Sequence, residues 1–168
     1  MCYEIKKPIT DTQRANFIVE YNHNQGLRID AGITDAVLNR CIADTQVLCE
    51  AMLGADATAI LKGEQATSVL LVGGDTTEGK YLLGLQRSAS YIAYALLLRD
   101  NVFASVYGTT NKRDELSNQV DPVDAARQWY SQGERGLSAL IEQLIAEDRL
   151  PKTYRLKPQS VPFINELT

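Results

Sequence analysis

A lone histidine and three cysteines in 168 residues leave this sequence poor in the side chains from which metal clusters and nucleophilic triads are built. His23 stands between Asn22 and Asn24 in a polar stretch with no cysteine or aspartate beside it, the pattern of a solvated loop histidine. Cys2, Cys41 and Cys49 are an odd number without C-x-x-C spacing, so neither a disulfide framework nor a metal site is expected. Basic excess is missing as well. Seventeen Lys+Arg against 21 Asp+Glu give a formal net charge of −4, which argues against a free-standing nucleic-acid binder that works by neutralising phosphates. No apolar run approaches the ~20 residues of a membrane span, and Met-Cys-Tyr-Glu-Ile-Lys-Lys-Pro at the start contains no apolar signal core, so synthesis in a cytosol with reduced thiols is expected. The length suits one domain with one core.

What the chain does have is helical periodicity. Thr10-Asp-Thr-Gln13 has capping-box spacing and predicts a short helix carrying Ala15, Ile18 and Val19, although Phe17–Tyr21 fits a strand equally well. Val37, Leu38, Cys41, Ile42, Thr45, Leu48, Cys49, Met52 and Leu53 recur at steps of three and four, which predicts a helix from Thr34 that Gly54 ends or kinks. Residues 55–62 can add two turns before Gly63. Ser68–Val72 reads as the one β-type run, bounded by Gly73 and Gly74. From Lys80 to Arg99, apolar residues wrap most of a helical cylinder, the mark of a central helix. Asp121-Pro-Val-Asp124 supplies an N-cap, a proline at the first helical position and an acidic first turn for a helix reaching about Glu147, in which Gly133 and Gly136 let another helix approach closely. The tail beyond Leu150 alternates prolines with apolar residues and has no helical period.

The expected fold is therefore mainly α: a small helical bundle with principal helices near 34–53, 78–100 and 122–147, a minor β element near 68–72, a domain over 1–150 and an extended C-terminal arm over 151–168.

One motif is sharp enough to weigh. Gly74-Asp-Thr-Thr-Glu-Gly79-Lys80 has the G-x-x-x-x-G-K spacing of a phosphate loop, between an apolar run and a helix. Tyr81 then stands where a Ser or Thr hydroxyl would meet magnesium, and Asp75 and Glu78 would bring carboxylates towards a phosphate chain. A glycine-rich turn leading into a helix, with Thr76 or Thr77 as N-cap, is the competing reading. Lys112, Arg113, Asp114 and Glu115 read as a solvated charged loop rather than acid–base machinery, and Trp129, Tyr130, Phe103 and Tyr107 as core or interface anchors. Cys41 and Cys49 lie on an apolar helical face and read as small core residues.

The order of features over residues 80–148 carries a resemblance. An Ala-, Tyr- and Leu-rich helix, then Ala104-Ser-Val-Tyr-Gly108, then Lys112-Arg-Asp-Glu-Leu-Ser117, then a capped amphipathic helix, resembles the small helical head-to-tail connector proteins of tailed bacteriophages, above all those of crAss-like phages. The resemblance implies a non-enzymatic virion protein without cofactor, made in a bacterial host's cytoplasm. It implies docking on the portal protein as a ring of about twelve copies, extension of the DNA channel without sequence-specific DNA binding, and a platform for a tail or second neck protein. On that reading the interaction residues are Tyr107, Lys112, Arg113, Asp114 and Glu115 of the polar loop, with Tyr154, Leu156, Val161, Phe163 and Ile164 of the arm. The alternatives are a nucleotide-binding protein centred on Gly74, Gly79 and Lys80, and a helical ligand-binding bundle.

Overall fold

Pro122 opens the last helix at a position whose N–H would have no intrahelical partner, and Asp124 places negative charge in its first turn. The computed structural model describes residues 35–107, 122–162 and 164. In chain order these form α1 (Asp35–Lys62), α2 (Val69–Val72), β1 (Gly74–Asp75), β2 (Tyr81–Leu82), α3 (Leu85–Tyr107) and α4 (Pro122–Ala146). The fold is mainly α, with one two-stranded antiparallel sheet among the described residues.

Helix α3 is the centre. Leu85, Ala89, Ile92, Ala93, Ala95, Leu96 and Leu97 are all buried, which takes in more than one face of the cylinder. Ser88 and Ser90 are buried among them without cost in lost hydrogen bonds, because their hydroxyls donate to the carbonyls of Gly84 at 2.7 Å and Gln86 at 2.8 Å. Helix α4 runs antiparallel to α3. Gly136 faces Ser88 near the start of α3, Gly133 faces Ile92, and Trp129 packs on Tyr91 and Tyr94 with ring centroids 5.0 and 5.5 Å away. Helix α1 also runs against α3: the Cys41 thiol donates to Asp100 at 3.7 Å at one end, while Glu64, just past α1, pairs at the other end with Arg149, just past α4. The predicted apolar stripes of α1 and α4 face inward, with Cys41, Cys49, Met52, Leu53, Tyr130, Leu137, Leu140 and Leu144 at or near zero exposure.

Two expectations change. Ser68–Val72 is not a strand. The Ser68 hydroxyl accepts from Leu70 N at 3.3 Å and caps the single turn of α2, whose consecutive Leu70 and Leu71 are both buried, as a turn of helix permits and an alternating strand does not. The β structure lies one step later, with Gly74 opposite Leu82 and Asp75 opposite Tyr81. The central helix starts at Leu85 rather than near residue 78, because this hairpin and Gly84 (φ 87) occupy the intervening chain, and it extends to Tyr107. Helix α1 breaks at Gly54 (φ 81, ψ 166), as expected, and residues 55–62 add the further turns to Lys62. The expected helix at Thr10–Val19, His23, Cys2 and the Asp121 cap lie outside the described residues.

Candidate functional site

The phosphate-loop lookalike is the tip of the β1–β2 hairpin. Gly79 N donates to Thr76 O at 2.9 Å and Thr76 N to Lys80 O at 2.8 Å, while Gly79 adopts φ 81. This is a three-residue hairpin loop, a turn followed by a left-handed glycine, and Gly79 is the residue that permits it. The Lys80 amide donates to the Thr76 hydroxyl at 3.1 Å. Three amides that a phosphate would require are thus satisfied inside the turn. A strand, not a helix, follows Lys80, so no helix N-terminus points at the loop. The Lys80 ammonium pairs outward with Glu142 of α4 at 3.6 Å, both side chains being exposed. The expected turn is there, but it leads into β2 rather than into a helix capped by Thr76 or Thr77.

Beneath the hairpin lies an open cleft of about 260 Å³. Its wall includes Glu64, Asp75, Thr76, Gln143, Glu147 and Arg149. Arg149 is held by Glu64 and, at 3.4 Å, by Glu147; the Glu64 hydrogen bond raises its pKa above the ordinary value. Buried Gln143 donates its side-chain amide to Glu147 at 3.1 Å. The cation of this cleft is neutralised within it, so its chemistry is that of a polar joint between the ends of α1 and α4. No group of three or more His, Cys, Asp or Glu suited to a metal ion occurs among the described residues.

The arm supplies the most specific constellation. At a helix break, carbonyls on one side and amides on the other lose their partners. The Tyr154 hydroxyl fills that gap at Gly54, donating to Leu53 O at 2.6 Å and accepting from Ala57 N at 3.4 Å. Lys157 N donates to Met52 O at 2.8 Å. A β-carbon on Gly54 would collide with the Tyr154 hydroxyl, so the glycine both breaks α1 and makes room for the plug. Further along, Val161 and Ile164 are buried in the core, and Arg127 donates to Ile164 O at 3.2 Å. The arm is extended, as expected, but it is docked on its own domain: Tyr154, Val161 and Ile164 are engaged there, and Leu156 is half-buried against the core. The expectation that they reach a neighbour has to account for this prior engagement.

Of the remaining predicted interaction residues, Tyr107 is the last residue of α3, and Lys112, Arg113, Asp114, Glu115 and Phe163 lie outside the described residues. Cys41 and Cys49 are core residues. Burial pushes both thiols up to about 12, and the neighbouring Asp100 carboxylate adds to the effect at Cys41, so neither is a nucleophile at neutral pH. Sequence reasoning missed the pairing of Gly54 with Tyr154 and the Glu64–Arg149 link. Each joins residues far apart in the chain, and only the glycine inside a helical pattern gave a local sign.

Comparison with known proteins adds no family: no protein-family model, curated protein or solved structure matches this chain.

Proposed function

We propose that this protein is a structural subunit of a phage head-to-tail connector, which forms a ring between portal and tail, extends the DNA channel and works by shape and multivalent contact rather than catalysis. The observation that supports this reading best is the α3–α4 hairpin. Gly133 and Gly136 close it tightly on Ser88 and Ile92. Because the two helices are antiparallel, the end of α3 at Tyr107 and the start of α4 at Pro122 lie at the same end of the pair. One tip of this rigid pair therefore carries both Tyr107 and Pro122, which suits a contact made from that tip to a portal or channel. The mild net acidity suits a channel along which DNA slides without sticking.

The test is mass spectrometry of gradient-purified particles. The expected result is this protein in intact particles at a fixed ratio near one to one with the portal subunit. Its confinement to the soluble fraction would overturn the reading.

A further inference from the structure

We infer that the C-terminal arm is exchanged between copies, each arm plugging the α1 break of the next subunit, so that the Gly54 break is a receptor for a second copy of this chain. This rests on the ring reading above and specifies its subunit contact.

The arm is suited to exchange because its attachments lie outside itself. Among the described residues its own backbone bonds are two local turns, Tyr154 N to Pro151 O at 2.9 Å and Ile164 N to Val161 O at 3.1 Å. Arg155 adds side-chain bonds to the carbonyls of Lys152 and Tyr154, both at 2.8 Å, while the Tyr154 plug, the Lys157–Met52 bond, the Arg127–Ile164 bond and the buried Val161 and Ile164 are made to the 35–146 body. An identical body beside it offers identical partners, so exchange loses none of these contacts. What ties the arm to its own copy, together with the Arg149–Glu64 pair and buried Leu150, is the short turn after α4. There Arg149 N reaches Leu144 O at 2.9 Å and Asp148 N reaches Ile145 O at 3.0 Å, with Asp148 at φ 57, a left-handed position that favours glycine. Extending the chain at Asp148 relieves that strain and releases the segment that follows it, at the cost of the partly exposed Arg149–Glu64 pair. Because the arm from Tyr154 onward keeps its docked shape, the chain free to stretch is the six residues from Arg149 to Tyr154, roughly 20 Å. Exchange therefore places the receiving Gly54 break within that distance of the giving subunit's α4 end, as in subunits packed side by side. Around a ring, one arm given and one received per subunit is a heterologous contact that closes.

The experiment uses the full chain with a benzophenone amino acid at position 156, half-buried against the body, prepared in isotope-labelled and unlabelled forms that are mixed before assembly. After irradiation, mass spectrometry reads the arm–α1 crosslinks, both in free protein at rising concentration and in particles. Random exchange predicts that about half of these pairs are mixed-label. Same-label pairs alone, under every condition, overturn the inference. A second chain with the probe at exposed Pro158 serves if the first misfolds. Incorporation into particles with same-label pairs sinks the exchange and keeps the connector. Mixed pairs in free protein that never enters particles do the reverse.

Discussion

Gly133 lies against Ile92 with no room for a β-carbon: one placed there would sit 2.5 Å from Ile92 Cγ1 and 2.8 Å from the Ser88 carbonyl oxygen. Alanine would ordinarily favour a helix over glycine by about 1 kcal/mol. Here the added methyl meets backbone that cannot swing aside, and overpacking of this kind costs about 1–3 kcal/mol. Gly133→Ala should therefore lose stability in urea denaturation. A gain would mean that the two helices have slack between them.

Removing only the hydroxyl of Tyr154 tests the plug. Tyr154→Phe keeps the ring but leaves Leu53 O and Ala57 N without their partner, an expected loss of about 1–3 kcal/mol for buried polar groups left unpaired. Hydrogen exchange at the Ala57 amide should accelerate with it. Unchanged exchange there would show that the break needs no plug.

Asp148 is the opposite case, a residue that the fold tolerates rather than needs. It occupies the left-handed position after α4, where its side chain is strained and its charge faces the negative end of the helix dipole. Asp148→Gly should stabilise by about 0.5–1 kcal/mol, seen as a rise of roughly 1–4 °C in Tm. A fall in Tm would point to an unrecognised bond made by the carboxylate.

The buried thiols make stability depend on alkaline pH. Burial raises Cys49 from an ordinary 9.0 to about 12, and burial together with Asp100 does the same at Cys41. Above pH 9 the unfolded chain loses these protons while the folded chain keeps them, so unfolding releases protons and stability falls with rising pH. The contribution is fully present below pH 9 and is lost progressively towards 12. Denaturation of Cys49→Ala alongside the parent should show a shallower decline over that window. Equal slopes would place the titration elsewhere.

Lys80 is predicted to matter little. Its ion pair with Glu142 is exposed on both sides, a type worth about 0–1 kcal/mol. Lys80→Ala should unfold within about 0.5 kcal/mol of the parent. Calorimetric titration with Mg-ATP should give no saturable heat for either protein. Saturable binding lost in the variant would restore the nucleotide-binding alternative.

Periodicity alone determined the core faces of α1, α3 and α4, because a stripe at steps of three and four can be buried only by a helix turned inward. Cys41, Cys49, Leu97 and Leu140 are buried where that pattern puts them. Gly133 and Gly136 were legible for the same reason, as small residues on a buried stripe. Their exact opposites, Ile92 and Ser88, were not.

Tertiary structure decided what short segments became. Four apolar residues at Val69–Val72 suit a strand or a helical turn equally, and the choice fell to the Ser68 cap and to a core that takes Leu70 and Leu71 together. Gly74–Lys80 kept its spacing but became a hairpin, since a motif's meaning lies in the elements flanking it, and those depend on the whole packing. The arm shows the division most plainly. Prolines and alternating side chains made it extended from sequence alone, because they forbid a helical hydrogen-bond ladder. Where it lies was settled by a broken helix about a hundred residues earlier, whose unpaired Leu53 carbonyl and Ala57 amide are met by one tyrosine hydroxyl. A long-range match of that kind leaves no periodic trace in the chain.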